Sequence, residues 1–266
     1  MLRKLLKYEI KATARIFLPL YAVLFSIALI NRLISFISPL EVQAPKIISM
    51  IIYITILVGM FVITFVMMLQ RFYKNLLTEE GYLMFTLPTL PWKLIVSKLF
   101  IAIMWTIASG IAAYISIFII FMDFTGISSL FTALIEFCGK LYTLFGLSSF
   151  LFTAEILLTI LIGLASGILI LYASMAIGHL FNRHKILASI GAFIALSTIT
   201  QILFILLVSI LHSLHIHDIL LETTNFLNME VTVHLGIWFI ILAAGILATG
   251  YFVITNYILS NRLNLE

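Results

Sequence analysis

Residues 47–69 read IISMIIYITILVGMFVITFVMML, 23 positions without a single charge. A bilayer core about 30 Å thick is crossed by about 20 mostly apolar residues in a helix. Inside hydrocarbon the backbone must satisfy its own polar groups, and the run is too long and too evenly apolar to be an alternating barrel strand. It therefore predicts a transmembrane helix. Working outward, residues 16–38, 94–122, 152–180, 186–211 and 233–259 answer the same description. Composition agrees: 63% of the 266 residues are hydrophobic and 10% charged, against about 45–50% and about 25% in an average soluble domain. Mean hydropathy is +1.23. The expected fold class is an all-α membrane protein, with six transmembrane helices in a single domain over 16–259 and no room for a soluble domain.

Charge sets the expected orientation. With both termini inside, Arg3, Lys4, Lys7, Lys11, Arg15, Arg71, Lys74, Lys93, Lys98, Arg183, Lys185 and Arg262 are cytoplasmic, and only Arg32, Lys46 and Lys140 of the 15 cations face outward. The positive-inside rule selects this arrangement. Acids collect on the outer side: Glu41, Asp123, Glu136, Glu155, Asp218, Glu222 and Glu230. The net charge of +4 thus reads as an insertion signal, and no basic, aromatic-interleaved surface for nucleic acid is present. The expected location is the cell membrane, multi-pass, with a cytoplasmic tail at 260–266. The lone Cys138 cannot form an internal disulfide and belongs to no metal or redox motif.

Residues 1–15 form a separate expected element. At 100° per residue Arg3, Lys4, Lys7, Lys11 and Arg15 fall on one arc and Leu2, Leu5, Leu6, Ile10 and Ile16 on another, the pattern of an amphipathic helix in the membrane interface. Glu9 breaks the apolar arc. Two readings stay open, an anchor to anionic lipid and a hinge that carries force into the first span. Its charged part is too long, and the first span lacks a small-residue cleavage site, so it is not read as a secretory signal. The outer connection over 39–46 is short, which pairs the first two spans. The outer connection 123–151 carries Leu130, Leu134, Phe137 and Leu141 at helical spacing. The third, 212–232, is polar.

Between the second and third spans lies the inner segment 70–92, with Arg71-Phe72-Tyr73-Lys74-Asn75-Leu76-Leu77-Thr78-Glu79-Glu80-Gly81-Tyr82-Leu83-Met84-Phe85-Thr86-Leu87-Pro88 at its heart. Thr78 can cap a short helix, Glu79 and Glu80 offer acceptors to basic side chains, and Gly81 permits a tight approach. Pro88 and Pro91 stiffen the return, while Trp92 and Lys93 anchor the third span. The plain alternative is an ordinary solvated loop.

This segment, followed by Trp92-Lys93-Leu94-Ile95-Val96-Ser97-Lys98, resembles the corresponding stretch in six-span permease subunits of ABC transporters of the type-2 export superfamily, those of Gram-positive bacteria above all. Beyond it, only the layout is similar: a basic N-terminal helix, six spans and a substantial outer connection before the last. The resemblance implies the type-2 ABC exporter permease fold. It also implies that the inner segment docks on a separate ATPase subunit, with Lys74, Thr78, Glu79, Glu80, Gly81, Tyr82, Phe85 and Pro88 as ATPase-coupling residues. The expected partners are ABC ATPase subunits, a second permease subunit in a homo- or heterodimer, and membrane lipid. ATP and Mg would sit on the ATPase, with no cofactor on this chain. The cargo class implied is an amphipathic or hydrophobic substrate, an antimicrobial or other peptide, a lipid-like compound or a drug, exported by alternating access.

The residues separately support a chain that does not hydrolyse nucleotide. A phosphate-binding loop needs a Gly-rich turn ending in Lys-Ser/Thr, and the nearest match, Gly245-Ile246-Leu247-Ala248-Thr249-Gly250-Tyr251, lacks the Lys and lies in a span. No H-E-x-x-H zinc motif occurs. Glu79-Glu80 resembles the paired acids of membrane CAAX-type proteases, but Met84 and Phe85 stand where a downstream Arg is expected. Leu164 before Ala165-Ser166-Gly167 departs from the rhomboid pattern. An intramembrane protease is thus a distant alternative, and a non-transport scaffold or sensor subunit a nearer one.

Three further groups attract attention. Arg32 and Glu155, at the outward ends of their spans, and Gln201, deeper, are candidate pathway or gate residues, because intramembrane ionisable groups pair or face a cavity. An Arg32–Glu155 pair and two independent snorkelling groups both fit. His212, His215 and His217, with Asp218, are weak metal candidates without a complete tetrahedral set, so no metal is assigned. Gly163 with Gly167, and Ser174 with Gly178, form small-xxx-small steps for close helix packing, within the subunit or at a seam between permeases.

Overall fold

The computed structural model describes residues 2–37, 43–78, 90–121, 132–133, 135–137, 139–140, 142–143, 146–181, 183–213 and 226–261. Helix is the regular structure throughout these residues: α1 (Leu2–Ile37), α2 (Gln43–Leu77), α3 (Pro91–Phe121), α4 (Ser149–Gly178), α5 (Lys185–Ser213) and α6 (Phe226–Asn261), with a 3-10 turn at Gly146–Ser148 before α4. All six are long and apolar enough to cross a membrane. With 36 residues, α1 is about 54 Å long at 1.5 Å per residue, well beyond the hydrocarbon thickness of about 30 Å.

The element expected over 1–15 and the first span are one uninterrupted helix, running through Pro19. Pro19 removes one N–H and crowds the carbonyl four residues back, a defect that membrane helices tolerate where neighbouring groups satisfy the backbone. Within the expected outer connection, residues 132–133, 135–137, 139–140 and 142–143 are helical, in line with the spacing read there.

The described chain falls into two compact units: Met1–Arg71 with Lys93–Phe137, and Phe72–Trp92 with Cys138–Glu266. In the first, α1, α2 and α3 pack through two apolar clusters. Leu24 and Ala28 meet Tyr53 and Met60 of α2 and Ala112 and Ala113 of α3. Phe17 packs with Ile101 and Trp105, its ring stacked on Trp105 with centroids 4.4 Å apart.

Polar links run along the same seam. Trp105 Nε1 donates to Thr13 Oγ1 at 2.7 Å, and Thr13 donates on to the Glu9 carbonyl. Thr64 gives its only hydroxyl proton to the Met60 carbonyl, so in the 2.9 Å bond between Thr64 and Ser109 the serine donates. Ser109 then accepts from Tyr21 at 2.8 Å. The same count orients Tyr53 toward Ser116, 2.9 Å away, because Ser116 donates to the Ala113 carbonyl. Higher up, Ser49 Oγ donates to Asn31 Oδ1 at 2.7 Å and Asn31 Nδ2 to the Ser49 carbonyl at 3.1 Å. Every proton has an acceptor, which removes the penalty of a buried polar group without a partner.

In the second unit, α4 buries Ile168, Leu169, Tyr172, Ala173, Ser174, Ala176 and Gly178. A Cβ on Gly178 would collide with the Oγ, backbone N and Cα of Ser189, so the start of α5 passes within backbone contact of the end of α4. The short connection closes with Phe181 N donating to the Gly178 carbonyl at 3.3 Å. His184 sits at φ 58 and its carbonyl accepts from Ala188 N at 3.0 Å, which opens α5. Thr200 of α5 and Tyr251 of α6 share a hydrogen bond.

Candidate functional site

Glu9 is the residue on which the first unit converges. Its α1 position sits one turn before Thr13 and two before Phe17, on the face that packs against α3, which is why an acid interrupts the apolar arc. Arg71 Nη1 of α2 donates to Glu9 Oε2 at 2.7 Å, and Lys98 Nζ of α3 donates to Glu9 Oε1. The Lys98 side chain is 3% exposed, that of Glu9 10% and that of Arg71 22%. One carboxylate, one oxygen to each cation, thus joins three helices. Glu9 stands 62 and 89 residues from its partners. They lie on the two sides of the 72–92 segment, Arg71 just before it and Lys98 about two turns into α3.

The arrangement is a joint, since an acid saturated by two cations has no proton to exchange. Its strength lies in the cost of breaking it. Taking away one member of a buried charge group leaves its partners without compensation, at about 3–5 kcal/mol.

On the second unit's side, Phe72 stacks on Tyr172 of α4 with centroids 3.9 Å apart and planes 10° from parallel. The next residue, Tyr73, tilts against His179 at 5.4 Å. Burial first, and the charge of Lys185 second, hold His179 below the ordinary histidine range. Lys74 is exposed on the last turns of α2, and its carbonyl accepts from Thr78 Oγ1 at 2.5 Å. That bond is the helix-ending role of Thr78; the cap of a following helix, expected from sequence, concerns residues outside the described set. Glu79, Glu80, Gly81, Tyr82, Phe85 and Pro88, the remaining coupling candidates, lie outside the described residues as well.

Both oxygens of Glu155, at 9% exposure, are engaged by α6: His234 Nδ1 lies 2.6 Å from Oε2 and Trp238 Nε1 donates to Oε1 at 2.8 Å. His234 and Trp238 are one helical turn apart and were not singled out in the sequence. The edge of Phe152 packs on the His234 ring. Arg32 donates through Nη1 to the Ile119 carbonyl of α3 at 2.9 Å. Each of the two residues considered as a mutual pair therefore makes these bonds inside its own unit. Gln201 is exposed on α5.

Of the small-residue steps, Ser174 and Gly178 are buried against the unit's own helices. Gly163 and Gly167 are exposed, with open space where a Cβ would stand. Among the described residues no group of three or more His, Cys, Asp or Glu could hold a metal. His215 and His217, and the side chain of His212, lie outside them.

No protein-family model, no curated protein and no solved structure matches this chain.

Proposed function

We propose that this chain is the membrane-spanning permease subunit of an ATP-driven exporter of the type-2 ABC superfamily. It would work as a dimer on separate ATPase subunits and move an amphipathic or hydrophobic substrate outward. The observation that carries this reading is the Glu9–Arg71–Lys98 joint. It fastens α1 to the two helices that bracket the segment whose residues resemble a coupling helix. A segment gripped by a moving ATPase needs such a root, because force applied to a loop is useful only if the helices behind it move together.

ATP binding would draw the ATPase subunits together and displace the segment 72–92. Arg71 and Lys98 would carry the motion to α1 through Glu9, and the hydroxyl seam would hold its register along the helix. Coupling then follows from contacts that differ between the inward- and outward-facing states. Glu155 with His234 and Trp238, a polar group in an otherwise apolar helix pair, is the place in the second unit where a pathway residue is expected.

The test is purification of the full chain in mild detergent with identification of the subunit that stays bound in stoichiometric amount. An ATPase with a Gly-rich phosphate-binding loop, active in the complex, is the expected partner. A chain that purifies alone and carries no ATPase activity when mixed with the membrane ATPases of its source cell would sink the proposal.

A further inference from the structure

The end of the first unit remote from Glu9 contains a cavity of about 600 Å³, within the range of about 300–1,000 Å³ typical of small-molecule sites. Asn31 forms its floor, Ile47, Ile51 and Phe121 are its apolar walls, and Ser35 and Lys46 are its polar rim. The floor asks nothing of a ligand. Asn31 Nδ2 donates to the carbonyls of Ile27 and Ser49, and its Oδ1 accepts from Ser49. The rim is different: among the described residues the Lys46 ammonium and the Ser35 hydroxyl have no hydrogen-bond or ion-pair partner.

What fills this space follows from its walls. Ile47, Ile51 and Phe121 are 55%, 58% and 68% exposed, on helices long and apolar enough to lie in hydrocarbon. Water gains little against such walls, whereas an acyl chain matches them. The cation at the mouth selects the head. Arg32 and Lys46 are two of the three Lys or Arg that the charge bias leaves away from the basic side of the chain. Both belong to this end, with Arg32 bonded to the carbonyl of Ile119, one residue short of the cavity wall. An ammonium and a hydroxyl lining an apolar slot fit a ligand that is anionic at one end and aliphatic at the other.

We infer that this cavity is a binding site for one anionic phospholipid of the surrounding bilayer, its phosphate on Lys46 and Ser35 and an acyl chain between α1, α2 and α3. The site goes beyond the transport reading and stands whether or not the chain works with an ATPase.

Native mass spectrometry of the full chain, released from micelles containing equal phosphatidylglycerol and phosphatidylcholine, tests it. The wild type should retain one phosphatidylglycerol in preference to phosphatidylcholine. Lys46→Glu should lose about tenfold in affinity, the worth of one charge-assisted hydrogen bond. Lys46 is exposed, so the variant is expected to fold. Ile47→Trp with Ile51→Trp, which fills the slot from two exposed positions, should abolish retention of the same lipid, and Lys140→Glu should leave it unchanged. Equal retention of the two lipids by the wild type would overturn the site. So would equal loss in Lys46→Glu and Lys140→Glu, or a tryptophan pair that binds like wild type.

Discussion

In the first unit α1, α2 and α3 are joined by hydroxyls, an amide, one acid and two cations. In the second, α4 meets α5 through a glycine at backbone distance, while polar links run to α6, through Glu155 with His234 and Trp238 and through Thr200 with Tyr251. Membrane helices have no hydrophobic drive toward one another, so they associate through hydrogen bonds or through close approach of small residues. The two devices specify different things. A directed chain such as Tyr21 to Ser109 to Thr64 fixes the height of each helix against its neighbour, since a shift of one residue strands a donor. A glycine contact fixes distance and leaves sliding cheaper. The joint at Glu9 therefore belongs to a unit whose three helices are each held at a fixed height, which suits the proposed transmission of displacement.

The largest effect that would break this contrast is at Glu9. Glu9→Gln should destabilise the first unit by about 3–5 kcal/mol, read by chemical unfolding in micelles. Adding Lys98→Met should recover part of that loss, because the two residues are coupled. A silent Glu9→Gln would reduce the joint to a surface contact.

The matching test in the second unit is Gly178→Ala, whose methyl meets the Ser189 backbone. Overpacking of this kind costs about 1–3 kcal/mol, and thermal unfolding should show it. Gly163→Ala and Gly167→Ala, with open space around them, should leave the isolated chain unchanged. The hydroxyl seam gives smaller steps. Tyr53→Phe removes one interhelical bond and should cost about 0.6 kcal/mol, the average for membrane hydrogen bonds, while Ser109→Ala breaks two links and should cost more.

The smallest effect concerns pH. The folded His179 binds its proton less readily than the unfolded side chain, whose ordinary value is 6.5. The unfolded state therefore takes up the proton first as pH falls, and stability should decline below about pH 6.5 and level off once the folded residue also titrates. His179→Gln should flatten that portion of a stability profile. Unchanged acid sensitivity would mean that His179 is hydrated in the folded chain.

The six helices were legible because a bilayer demands about 20 apolar residues in each, a requirement written in contiguous sequence. The close packing at Gly178 was legible for a similar reason, as the spacing of small residues is local. The continuity of α1 was not: the pattern changes from amphipathic to apolar at residue 15, yet one helix runs through both parts. Glu9 was visible as a flaw in a pattern, but its partners are separated from it by two helices' worth of chain. Arg32 and Glu155 were read together because both are ionisable groups at the outward ends of their spans, with independent snorkelling left open. Sequence position does not show a backbone carbonyl as acceptor for Arg32, nor an imidazole and an indole one turn apart on α6 as partners of Glu155.

The proposal that the chain drives export through the segment rooted at Arg71 and Lys98 is tested most directly by reversing its acids. In the purified complex, Glu79→Lys with Glu80→Lys is expected to release the ATPase subunit and abolish substrate-stimulated ATP hydrolysis, with membrane insertion and unfolding of the chain unchanged. A double variant that keeps its ATPase and hydrolyses ATP at the wild-type rate would contradict it.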